Sequence, residues 1–107
     1  ETLGRPYYAR KDLPVSPEAK ARLARLSTKE VHPATLAGEP VLQVLDWATG
    51  NGEPLGGIKV VAANAWFAVR PSGTEDVAKV YAESFLGEAH LERVLEEATA
   101  LLHKALA

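Results

Sequence analysis

Between Val41 and Ser84 the chain carries four runs of strand character, and the links between them are too short to hold a helix. The runs are Val41 to Trp47, Ile58 to Ala62, Ala65 to Arg70 and Val77 to Ser84. β-Branched and aromatic residues are frequent in them. A parallel crossover needs a dozen residues or more, usually a helix. The longest link, Ala48 to Gly57, has ten residues, four of them glycine, and Asn51-Gly52 is a turn signal. Neighbouring strands must therefore run antiparallel, as a four-stranded meander.

The flanks supply a strand and two helices. Tyr7 to Asp12 reads as a strand, ended by Leu13-Pro14. Ser16-Pro17-Glu18 is a helix start, with a hydroxyl N-cap, Pro at the first helical position and an acid in the first turn. That helix is expected from Pro17 to about Leu26. Ser27-Thr28-Lys29-Glu30 fits a capping box, and His32-Pro33 with Gly38-Glu39-Pro40 suggests irregular chain. From Glu88 onward, Leu91, Val94, Leu95, Ala98, Leu101, Leu102, Ala105 and Leu106 make one apolar stripe of a long helix. The order β-α-β-β-β-β-α predicts an α+β two-layer sandwich: a four-stranded antiparallel sheet with two helices on one face.

Alternation then assigns faces. The charged members of the last two strands must avoid the helices. So Phe67, Val69, Val80 and Ala82 look inward, and Arg70, Lys79, Tyr81 and Glu83 look outward. Pairing Arg70 with Val77 would set Lys79 diagonal to Arg70, at roughly 7–8 Å.

The link between those strands, Arg70-Pro71-Ser72-Gly73-Thr74-Glu75, is rich in phosphate-binding chemistry. Arg70 offers a planar fork of donors to two oxygens at once. Ser72 and Thr74 offer hydroxyls. Gly73 lets backbone N–H groups turn towards an anion as a nest. Pro71 stiffens the entry. Glu75 repels phosphate, so it either orients Arg70 or a loop N–H or is merely solvated. Lys79 is either a second cation for the same anion or a solvated strand charge. The whole string also reads as an ordinary hairpin turn. Trp66 and Tyr81 read as packing or domain-contact residues. His32, His90 and His103 stand in no metal-ligand spacing, and none is assigned to catalysis.

Composition excludes several classes. At 107 residues the chain is one domain, 1–107. Twelve basic residues are scattered among fourteen acids, which argues against a nucleic-acid surface. No apolar run approaches a membrane span, so no membrane partner is expected. There is no cysteine, hence no disulfide frame or thiolate site. The cytoplasm is the expected compartment. There is also no methionine, which leads us to expect a piece of a longer chain.

The loop and its flanks resemble the alpha-D-phosphohexomutases, and among them the phosphoglucomutases. The resemblance runs through Gly56-Gly57-Ile58-Lys59-Val60-Val61, Asn64-Ala65-Trp66-Phe67-Ala68-Val69, the loop itself, and Lys79-Val80-Tyr81-Ala82-Glu83-Ser84-Phe85. It implies the C-terminal domain of a four-domain enzyme, with a TATA-binding-protein-like fold. It implies interconversion of glucose 1-phosphate and glucose 6-phosphate through glucose 1,6-bisphosphate, a phosphoserine donor and bound magnesium. Arg70, Ser72, Gly73, Thr74 and Lys79 would then hold the substrate's non-reacting phosphate, with Pro71 and Glu75 supporting the loop. Asp76 stands where many phosphomannomutases and phosphoglucosamine mutases carry proline, which favours phosphoglucomutase. The family's serine loop and its Asp-Gly-Asp-x-Asp metal loop do not occur in this sequence. The chain alone is therefore expected to hold no cofactor and to be inactive, with the other domains of its polypeptide as partners. The competing expectation is a stand-alone module that binds a phosphorylated partner. Coding sequence upstream of Glu1 discriminates the two.

Overall fold

The computed structural model describes residues 6–25, 31, 33–46 and 57–106. Eight elements follow in order: β1 (Tyr7–Pro14), α1 (Pro17–Ala24), β2 (Thr35–Leu36), β3 (Glu39–Asp46), β4 (Ile58–Ala62), β5 (Ala65–Pro71), β6 (Val77–Ser84) and α2 (Glu88–Leu106). The α+β class holds, as do the meander and both helices. The capping box at residues 27–30, His32 and the glycine-rich stretch up to residue 56 lie outside the described residues.

The sheet is larger than the expected four strands. It has six, in the order β1-β6-β5-β4-β3-β2, antiparallel throughout. Two additions make the difference. β1 pairs along its whole length with β6, from Tyr7↔Ser84 to Pro14↔Val77. Its sequence has no tight turn to β6, so nothing local announces that pairing. β2 is only two residues long and reads as irregular chain until its partner in β3 is known. Because β1 and β2 lie on opposite edges, the segment holding α1 must carry the chain across the sheet.

Both helices bury their stripes together. α1 and α2 touch each other, and both lie against β5 and β6. Ser16 caps α1, its Oγ accepting the Ala19 N–H at 3.0 Å. Leu23 projects from α1 into the core, fully buried. α2 buries Leu91, Val94, Ala98 and Leu102, and the rest of its predicted stripe packs half-buried around them. Beneath them lie Phe67, Val69, Val80 and Ala82, the residues that alternation turned inward. The start of α2 is tied to the end of β6. Ser84 Oγ accepts the Leu86 N–H at 3.0 Å and lies 2.7 Å from His90 Nδ1.

The β2–β3 hairpin turns on two residues, Ala37 and Gly38, with φ of 50° and 88°. Twist-matched two-residue hairpins require positive φ at both positions. Glycine supplies this freely, and alanine does so at a cost. Glu97 on α2 steadies the corner: its Oε1 accepts the Ala37 N–H at 2.6 Å, and its Oε2 accepts from Arg93 Nε at 3.2 Å. Removing the acceptor leaves a buried N–H unsatisfied. Glu97→Ala is therefore expected to lower stability by about 1–3 kcal/mol. Glu97→Gln, which keeps an acceptor, should lose less than half of that. Urea midpoints of the two variants check the difference.

Candidate functional site: the β5–β6 hairpin and its loop

The register, more than any single motif, builds the site. β5 and β6 pair Phe67↔Ala82, Val69↔Val80, Arg70↔Lys79 and Pro71↔Ala78. This corrects the expected pairing of Arg70 with Val77. Lys79 is directly opposite Arg70 rather than diagonal to it. The hairpin loop therefore spans Ser72 to Asp76, beginning one residue later than the expected strand end at Arg70 implied.

The pairing brings two like charges face to face, with Cβ atoms about 4.5–5.5 Å apart. Like charges directly opposite destabilise a sheet unless something offsets them. Part of the offset is Asp12, which pairs with Lys79 from the β1 side. The row on the outer face reads Asp12, Lys79, Arg70. The next row reads Arg10, Tyr81, Ala68, Lys59, adding a cation on either side. Arg70, Lys79 and Lys59 are all half-buried, whereas Arg10 is exposed. Their fields therefore reach a ligand through less water than fully exposed charges would.

Further along the face, Trp66 is committed to its own sheet. Its Nε1–H donates to Glu83 Oε1 at 2.8 Å, and Lys59 Nζ lies 4.5 Å from the ring centroid. A cation over an aromatic face is attracted by the ring quadrupole. Trp66 is accordingly a packing residue here. Ala68, on the same outward face of β5, is fully buried.

The loop folds around Ser72. This serine is 5% exposed, and its Oγ accepts the N–H groups of Thr74 and Glu75, each at 3.2 Å. Its own N–H donates to the Val77 carbonyl at 3.1 Å. Three loop amides thus close the turn on itself, an arrangement typical of serine in turns. The Ser72 O–H proton is not used in these bonds. Gly73, Thr74, Glu75 and Asp76 are exposed at the tip, and Pro71 is buried at the end of β5. Arg70, Ser72, Gly73, Thr74 and Lys79 therefore meet at one end of one hairpin. Glu75 enters the local structure through its backbone: its N–H reaches Ser72, and its carbonyl accepts from Lys20.

Two supports escaped the sequence reading. Gly57, at φ 135°, passes directly under Arg70. A Cβ there would stand 2.5 Å from the Val69 carbonyl oxygen and 3.1 Å from Arg70 Cβ. The Gly56-Gly57 pair was a visible signal, but only the fold shows what approaches it. Lys20, from α1, donates to the Glu75 carbonyl at 2.8 Å and lies 3.4 Å from Asp76 Oδ1. Its partners are 55 and 56 residues away, and no local pattern announces them. Among the described residues no group of three or more His, Cys, Asp or Glu side chains could hold a metal ion. No helix among them is long and apolar enough to cross a membrane.

The family model of the phosphoglucomutase/phosphomannomutase C-terminal domain matches residues 18–101. The chain belongs to the phosphoglucomutase/phosphomannomutase C-terminal domain family. A phosphoglucomutase of Komagataeibacter xylinus is 55% identical over 96 residues, which is 90% of this chain. The family match opens in α1 and closes in α2, so Lys20, Gly57, the hairpin and the loop all lie within it. The chain spans only 17% of the length of that relative.

Proposed function

We propose that this phosphoglucomutase/phosphomannomutase C-terminal domain clamps the phosphate of a hexose phosphate within a larger mutase. The observation that carries the reading is the Arg70↔Lys79 pair beside a loop of hydroxyls, in a chain of this family. Arg70 grips two phosphate oxygens in parallel, and Lys79 adds a point charge next to it. Thr74 and the unused Ser72 proton donate to the remaining oxygens, and Gly73 lets the ligand approach the backbone. Pro71 and Glu75 hold the loop rather than touch the anion.

Such a clamp contributes binding energy away from the reacting bond, and so fixes the sugar's orientation. Generic donors accept the phosphate of glucose 1-phosphate or of glucose 6-phosphate. Each end of the sugar can thus face a phosphoserine on another domain, with the bisphosphate reversing between steps. Magnesium and the phosphoserine belong to those other domains, and the whole works in the cytoplasm. Identity with a phosphoglucomutase favours glucose phosphates over the mannose or glucosamine phosphates of related mutases.

Titration of the chain with inorganic phosphate tests the reading. A few charge-assisted hydrogen bonds set against association costs of about 4–15 kcal/mol give a Kd on the order of millimolar. The largest amide shifts should fall on Ser72, Gly73 and Thr74. Largest shifts at residues 50–57 would place the anion elsewhere. The same sample should show no mutase turnover with magnesium and the bisphosphate. A stand-alone phosphate-binding module would bind its phosphorylated partner tightly without any other domain.

A further inference from the structure

We infer that Lys20 is a positioning residue for the phosphate loop: it fixes the rear of the loop so that Gly73 and Thr74 stand outward. The inference rests on the clamp reading above. It begins from a contact across the fold. Lys20 Nζ donates to the Glu75 carbonyl at 2.8 Å and lies 3.4 Å from Asp76 Oδ1, with a quarter of the Lys20 side chain exposed. Just ahead of the helix, the Val15 N–H donates to the Asp76 carbonyl at 3.0 Å. The carbonyls of two successive loop residues are thus each held by the α1 segment.

That segment is itself anchored. Ser16 caps α1 and its carbonyl accepts the Lys20 N–H at 2.9 Å. Leu23, three residues beyond Lys20, is fully buried in the core. The loop is therefore held twice, from inside by Ser72 Oγ and from behind by Lys20. An exposed loop without the second hold would have to be ordered when the anion arrives, and that ordering weakens binding. Lys20 already faces two oxygens on the rear of the loop, so its part is geometry rather than contact with the anion. The ammonium is also partly offset by the Asp76 carboxylate, so the donated hydrogen bond matters more than the net charge.

The test uses the full 107-residue chain, with inorganic phosphate as the probe. Lys20→Met keeps the stem and removes the donor, Lys20→Arg keeps a donor, and Arg70→Ala serves as control. Lys20→Met should weaken phosphate binding about three- to tenfold. It should speed hydrogen exchange at the Thr74 and Glu75 amides and leave the melting temperature within a few degrees. Lys20→Arg should restore most of the affinity, which a merely structural role would not require. If Lys20→Met does not fold, Lys20→Gln takes its place in the same measurements. Unchanged affinity in Lys20→Met, with binding lost in Arg70→Ala, removes the Lys20 assignment alone. Weaker binding with unaltered exchange overturns the positioning role in favour of a direct charge effect. Phosphate binding that survives Arg70→Ala removes the clamp reading, and this inference with it.

Discussion

Arg70→Ala in the larger mutase proposed above is expected to lower kcat/KM about a hundredfold, the equivalent of ~3 kcal/mol. The guanidinium is proposed to hold two phosphate oxygens at once, and alanine leaves them partly uncompensated. Part of the loss should appear in kcat. On the proposed reading, the grip would fix where the distant hydroxyl lies relative to the phosphoserine, an interaction that matters most in the transition state. Arg70→Lys keeps the charge but not the fork, so it should recover only a fraction of the loss. Stability should move little in either variant, because Arg70 lies on the outer face, opposite the helices. Steady-state kinetics and a thermal melt together check the claim. A kcat/KM within about twofold of wild type, or an unfolded variant, would make Arg70 structural and move the clamp elsewhere.

Gly57→Ala is expected to destabilise the domain by about 2–4 kcal/mol, combining backbone strain with overpacking. The residue sits at φ 135°, where side chains are rarely found. The added methyl would also meet the Val69 carbonyl oxygen at 2.5 Å, which is backbone and cannot swing away. Relief must come from separating the start of β4 from β5, and Arg70 moves with β5. Phosphate affinity should therefore fall together with stability, unlike in Arg70→Ala, where affinity falls alone. Urea denaturation with an unchanged m-value measures the first effect, and phosphate titration of the folded fraction the second. A destabilisation below about 0.5 kcal/mol would show that β4 tolerates the methyl and that Gly57 is not needed there.

Elements whose signals are local were legible in the amino-acid order alone. The span Val77 to Ser84 and the start of α2 at Glu88 coincide with their predicted positions, because alternation, 3.6-residue spacing and turn residues act within one segment. Short links forced the antiparallel meander, and alternation alone sent Phe67 and Val80 inward and Arg70 and Lys79 outward. The loop's donor residues, Arg70, Ser72 and Thr74, were equally legible as residue types.

Long-range packing set the rest, wherever partners lie far apart in the chain. β1 joined β6 at one sheet edge, one of the two additions that make six strands in place of four, because that pairing is fixed by docking and not by a turn. The register set Arg70 against Lys79, since the loop closes on Ser72 and so begins later than the Arg70–Val77 pairing assumed. Lys20 behind the loop and Gly57 beneath Arg70 became visible only once α1 and β4 were in place. A sequence pattern records which face a side chain takes. Which backbone atom waits for it on the other side is set by packing between segments tens of residues apart.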